Sequence, residues 1–201
     1  MNEPLFRRVA SWGAYAIAVL SLLYAAVYLL IVKDSPANFA ASAIANGLIG
    51  LSGIVATFVV IAVGDIVGGS VGRWLGIFGV GWALLSSVHG MYSGIADWKG
   101  IEVLPGTTGM RPDFAPTDPR GFSTFGLAGL WSLVLASAIF SGAAFPRVLG
   151  IVALINGVDL IVLFIATAAG IPQLVLFAGG LAAVILGPIQ WALIGRALGE
   201  P

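Results

Sequence analysis

The side chains able to do chemistry in this 201-residue chain are few, and they sit where polar groups are costly. Asp159 lies in the apolar run 148–169, with Asn156 three positions earlier and therefore on the same helix face. His89, the only histidine, lies in the run 74–95, with Ser86 three residues before it and Tyr92 three after. A charge at the centre of a membrane helix costs about 2.5–3.5 kcal/mol on insertion scales, so such a residue turns towards the bundle or a cavity and finds a partner. At 1.5 Å per residue, His89 falls roughly 9 Å and Asp159 roughly 15 Å below the outer surface. That axial gap of about 6 Å is within reach of two side chains or one bridging water if the two helices are neighbours. Asn46 and Gln173 stand near the outer starts of their own runs. Asp159, Asn156, His89, Asn46, Tyr92 and Gln173 thus form a candidate ligand or proton pathway, a polar pocket opening outward with Asp159 at its floor. The competing reading is packing, in which the same groups hydrogen-bond one helix to the next.

What must position these residues is set by composition. The chain is 59% hydrophobic and 9% charged, whereas soluble domains run about 45–50% apolar and about 25% charged. Such a chain cannot cover its surface in water. Lys+Arg and Asp+Glu balance at nine each, so no basic face points to nucleic acid, and the absence of cysteine excludes disulfides and thiol chemistry. A helix needs about 20 apolar residues to cross about 30 Å of hydrocarbon. Six segments meet this near 11–32, 42–63, 74–95, 123–141, 148–169 and 172–194. The sequence therefore predicts a single all-α membrane domain over 1–201, a bundle of six transmembrane helices. The first is too long and too aromatic (Trp12, Tyr15, Tyr24, Tyr28) for the apolar core of a signal peptide.

Arginine placement gives the orientation. With both termini cytoplasmic, the inner face receives Arg7, Arg8, Arg73, Arg147 and Arg196 as anchors, and every inner turn carries one. The outer face then receives Lys33, Lys99, Arg111 and Arg120, diluted by Asp34, Asp97, Glu102, Asp113 and Asp118. Asp65 and Arg73 fall at one inner boundary as a candidate ion pair, which leaves Asp159 as the acid deep in a span. The long outer loop, 96–122, holds Pro105, Pro112, Pro116 and Pro119, a density that prevents regular structure and suits a lid, a contact surface or a spacer.

Glycine is abundant, at 28 residues, and Gly72-x-x-x-Gly76, Gly90-x-x-x-Gly94 and the series Gly47, Gly50, Gly53 fit close helix packing. Gly187-Pro188 inside the last run predicts a kink. Arg73-Trp74-Leu75-Gly76-Ile77 and Arg147-Val148-Leu149-Gly150-Ile151 open two runs in the same direction, a pattern that either a parallel repeat or chance at a basic inner boundary produces. These openings, above all Phe145-Pro146-Arg147-Val148-Leu149-Gly150-Ile151, resemble those of small six-span bacterial membrane proteins over about a quarter of the chain. The resemblance implies a six-span architecture in a bacterial plasma membrane and brings no site residues with it.

Enzyme chemistry finds little footing. His-Glu-x-x-His, Gly-x-Ser-x-Gly and a phosphate loop are all missing, one histidine cannot make a bis-histidine haem, and no metal-ligand cluster is visible. Two classes remain. The first is a non-catalytic accessory or structural subunit that packs with partner membrane proteins, with itself or with membrane lipids, with a bound lipid or pigment in place of a classical cofactor. The second is a small transporter or channel using the pocket around Asp159 and His89.

Overall fold

The computed structural model describes residues 3–35, 38–99 and 122–200. Among them there are helices and no strand. They are α1 (Glu3–Val27, extended by a π-turn over Tyr28–Val32), α2 (Phe39–Val67), α3 (Gly69–Lys99), α4 (Phe122–Phe140), α5 (Arg147–Ala168), α6 (Pro172–Leu181), a second π-turn (Ala182–Leu186) and α7 (Gly187–Gly199). Five helical stretches, 4–32, 39–67, 69–99, 147–168 and 172–199, are long and apolar enough to cross a membrane, and Thr124–Phe140 of α4 is a shorter apolar helix. The helices outrun the apolar segments read from sequence. At 1.5 Å per residue, the 31 residues of α3 extend about 46 Å. Helix therefore continues through Ala96–Lys99, the start of the expected outer loop; residues 100–121 of that loop lie outside the described residues.

Glycine sets the tightest contact. α2 and α3 run antiparallel, with Gly64 against Gly72 and Gly76, Gly53 against Ala83 and Ser87, and Gly50 against Gly90 and Met91. A Cβ on Gly53 would stand 2.6 Å from the Ala83 carbonyl oxygen, and one on Gly90 would overlap the Gly50 backbone. The small-residue pattern thus lets two backbones meet where any side chain would hold them apart. Between these helices the chain reverses at Gly68 and Gly69, at φ 69° and 59°, a left-handed backbone that favours glycine.

The same antiparallel logic runs round the bundle. Gly129 meets Gly157 between α4 and α5, Leu163 meets Gly179 between α5 and α6, and Ser11 of α1 lies against Gly195 and Gly199 of α7. α1 to α5 and the continuous α6–α7 stretch consequently alternate in direction. This places Arg7, Arg8, Arg73, Arg147 and Arg196 at one end of the bundle and Lys33, Asp34 and Lys99 at the other. Asp65 and Arg73 border one shallow depression at the arginine end, without an ion pair between them.

The half of the bundle nearer the arginines is solid. Ala14, Val59, Val63, Leu75, Leu135, Leu149 and Ile194 there are fully or almost fully buried in one continuous apolar core. A smaller cluster of Leu163, Ala166, Val175 and Ala178 closes the α5–α6 hairpin at the other end.

The kink expected at Gly187-Pro188 takes a specific form. Gly187 N–H donates five residues back to the Ala182 carbonyl, a π-turn hydrogen bond. The next such bond would run from residue 188 to Ala183, but proline has no N–H to give. Ser21 of α1 supplies the missing donor, its Oγ lying 2.9 Å from the Ala183 oxygen. The proline, the π-turn and the serine of another helix form one local solution.

Candidate functional site

A cavity of about 310 Å³ occupies the half of the bundle away from the arginines, and α1 to α7 all contribute to its wall. Its floor is an indole cluster from three helices. The Trp131 and Trp191 rings stack at 6.0 Å and 19°, and Trp82 meets Trp131 edge-on at 6.2 Å and Trp191 at 6.4 Å. Trp131 is locked by donating its Nε1–H to the Leu75 carbonyl across 2.9 Å. That reach depends on Gly79, where a Cβ would stand 2.8 Å from the indole nitrogen. Ring pairs at these separations favour offset and edge contacts, so the floor is rigid as well as apolar.

A chain of side-chain amides crosses one wall. Asn156 of α5 donates its Nδ2–H to Gln190 Oε1 at 2.8 Å, and Gln190 of α7 donates its Nε2–H to Ser132 Oγ of α4 at 3.1 Å. All three residues are at most 5% exposed, and all three line the cavity. Asn156 Oδ1 has no hydrogen-bond partner, and neither does the buried Nε1 of Trp82, which lines the same space. Towards the far end the wall carries the stacked pair Tyr24 and Tyr28, at 6.0 Å between ring centroids, together with Ser86, His89 and Asn46. Among the described residues, the lining contains no Asp, Glu, Lys or Arg.

The structure brings Asn46, His89 and Asn156 together along this one cavity and does not bring Asp159, Tyr92 or Gln173 into its wall. α3 packs on α4 and α4 on α5, so α4 stands between the helices of His89 and Asp159. Asp159 is buried on α5 beside the cavity face, with Oδ2 unpartnered. Tyr92 is 58% exposed on the outside of α3, and Gln173 is exposed in the first turn of α6. Among the described residues, no three His, Asp or Glu side chains gather in a group able to hold a metal ion.

Sequence reasoning missed two features. The first is Asp97, read as part of an outer loop. It is helical and 2% exposed, more deeply buried than Asp159, and its Oδ2 accepts from Asn46 Nδ2 at 2.8 Å. Asp159 is therefore not the lone buried acid. The signal available was spacing, because Asp97 follows Gly90 and Gly94 on the α3 stripe that meets α2. The second is the amide chain through Ser132 and Gln190, in which neither residue belongs to a motif and only Asn156 stood out. Comparison of the chain with protein-family models, with curated proteins and with solved structures found no significant match.

Proposed function

We propose that this integral membrane protein is a non-catalytic, six-span accessory subunit whose bundle holds one small, uncharged, mostly apolar molecule of lipid or pigment type. The observation that carries this reading is the cavity: about 310 Å³ of space within the helices, floored by indoles and lined, among the described residues, without a charged side chain. Ligand sites are concave, mostly apolar and furnished with a few placed polar groups, which describes this wall. Desolvation makes an ion costly in such surroundings and leaves a neutral molecule unpenalised.

In this reading α4, whose 19 residues extend about 28 Å, is the sixth span. The arginine end is cytoplasmic, with both termini there, and the membrane is the bacterial plasma membrane. Exposed aliphatic side chains along α1, α3 and α5, such as Leu22, Ile77 and Ile155, face lipids, partner membrane proteins or a second copy of the chain.

The test is native mass spectrometry of protein released from mild detergent. The account expects partner subunits in stoichiometric amounts and a small neutral molecule that stays with this chain. A partner-free oligomer counts against the accessory role, and an empty chain counts against the bound molecule. The transport reading is favoured by one observation, the presence of His89 in the cavity wall. It requires His89→Ala and Asp159→Asn each to alter flux or proton coupling in proteoliposomes; no change in folded protein would end it.

A further inference from the structure

The cavity opens at one side of the bundle, and the place of the opening narrows its occupant, on the basis of the binding role proposed for it. Leu176, Gly180, Ala183 and Gly187 follow at four- and three-residue steps, share one face of the α6–α7 stretch and line the cavity. Nearer the arginines this face meets α1. Ser21 Oγ donates to the Ala183 oxygen across 2.9 Å and lies 3.8 Å from where a Cβ on Gly187 would stand. Farther from the arginines the same face is open. A Cβ on Gly180 would find nothing within 4 Å, and Leu176 and Val184, both in the cavity wall, are 38% and 40% exposed. α1 packs on α2, α7 and the second π-turn, whereas α6 packs on α5. The two helices therefore part beyond Ser21 and leave a mouth, with Tyr24, Tyr28 and Leu29 of α1 on its other edge.

Depth decides what stands outside this mouth. Leu176 and Val184 lie 4 and 12 residues into the helical stretch 172–199, about 6 and 18 Å below its outer end at 1.5 Å per residue. The hydrocarbon layer is about 30 Å thick, so the mouth faces lipid tails rather than water. The space behind it is long and narrow. Its wall follows α1 from Ile17 to Leu29, about 18 Å, yet it holds only about 310 Å³, the proportions of an extended chain. Among the described residues no charged side chain waits inside for a headgroup. We propose that the cavity takes its occupant sideways from the bilayer. One acyl chain of a membrane lipid enters between α1 and α6 and ends on the indole floor, while its headgroup stays at the surface of the leaflet away from the arginines.

The experiment is photocrosslinking in nanodiscs that contain phosphatidylcholine with a diazirine at the end of one acyl chain, read by peptide mass spectrometry. In the parent protein the peptides carrying Trp82, Trp131 and Trp191 take label. Gly180→Phe, whose added ring is expected to obstruct the mouth, loses that label. Val184→Trp, which enlarges a side chain already exposed at the mouth, loses it too. Label on the outward residues Ile77 and Ile165 is retained in both variants. Excess 1-naphthol, a neutral ring compound suited to the apolar floor, competes with the chain and lowers the floor label. A floor without label in a parent protein that binds 1-naphthol saturably in equilibrium dialysis overturns the inference and leaves the binding role standing. Floor label that persists in both variants also overturns it, because the chain then enters elsewhere. Absence of both floor label and saturable 1-naphthol binding overturns the binding role itself, an outcome distinct from the other two.

Discussion

Asn156 on α5 donates its side-chain amide to Gln190 Oε1 on α7 across 2.8 Å, and the pair is buried to within 5%. This contact joins two helices whose own backbones are saturated, in a membrane where association depends on packing and on such polar links. Asn156 also lines the cavity, and its Oδ1 is buried without a hydrogen-bond partner. Under the proposed binding role, packing and binding share one residue, and the two readings of the sequence, helix glue and ligand site, meet in it.

Removal of the centre of this chain has a cost that its neighbours reveal. Gln190→Leu leaves the Asn156 amide and the Ser132 hydroxyl without their partner at once. Thermal unfolding in mild detergent is expected to show a loss of about 1–3 kcal/mol. Ser132→Ala, which strands only one Gln190 N–H, costs less. Equal stability of Gln190→Leu and the parent protein contradicts the hydrogen-bonded geometry.

The serine that answers a proline makes a non-additive pair. Ser21→Ala leaves the Ala183 carbonyl unsatisfied and costs about 1 kcal/mol. Pro188→Ala restores a backbone N–H, so Ser21→Ala in that background costs little. A double-mutant cycle measures the coupling, expected at about 0.5 kcal/mol or more. Strict additivity indicates that the π-turn and Ser21 are independent.

Close approach of α2 and α3 separates glycines that look alike in sequence. Gly90→Ala drives a methyl into the Gly50 backbone and is expected to cost about 1–3 kcal/mol or more. A Cβ at Gly47 meets nothing within 4 Å, so Gly47→Ala is neutral or stabilising by up to about 1 kcal/mol. The ranking of the two unfolding midpoints checks the register of the pair.

The chain has no cysteine, so single introduced thiols report topology without background. Ser70 is exposed beside the α2–α3 reversal at the arginine end, and Ser35 is exposed beyond the first π-turn at the other. In intact cells a membrane-impermeant maleimide is expected to label Ser35→Cys at once and Ser70→Cys only after permeabilisation. The reverse pattern inverts the proposed orientation.

Helical class, antiparallel packing and the grouping of arginines were legible because each follows from a strong local signal: long apolar runs, small residues at helical spacing, and charges at run ends. The site was legible in part. His89, Asn46 and Asn156 stood out as polar residues in apolar surroundings, and they line one cavity. Asp159 stood out for the same reason, yet the cavity does not include it, since depth along a helix says nothing of which neighbour stands between two faces. Asp97 was hidden by its position at the end of an apolar run, where helix and loop read alike. Gln190 and Ser132 were hidden because their role depends on three helices meeting, a fact of tertiary structure.

The central claim is that the bundle encloses a binding cavity, and one substitution addresses it directly. Gly180 lines the cavity, and a Cβ there meets nothing within 4 Å, so Gly180→Phe is the substitution expected to occupy the space. Equilibrium dialysis of 1-naphthol against protein in nanodiscs is expected to give one saturable site per chain for the parent protein and none for folded Gly180→Phe. Saturable binding that survives this substitution, or none in the parent protein beyond partition into lipid, would contradict the account.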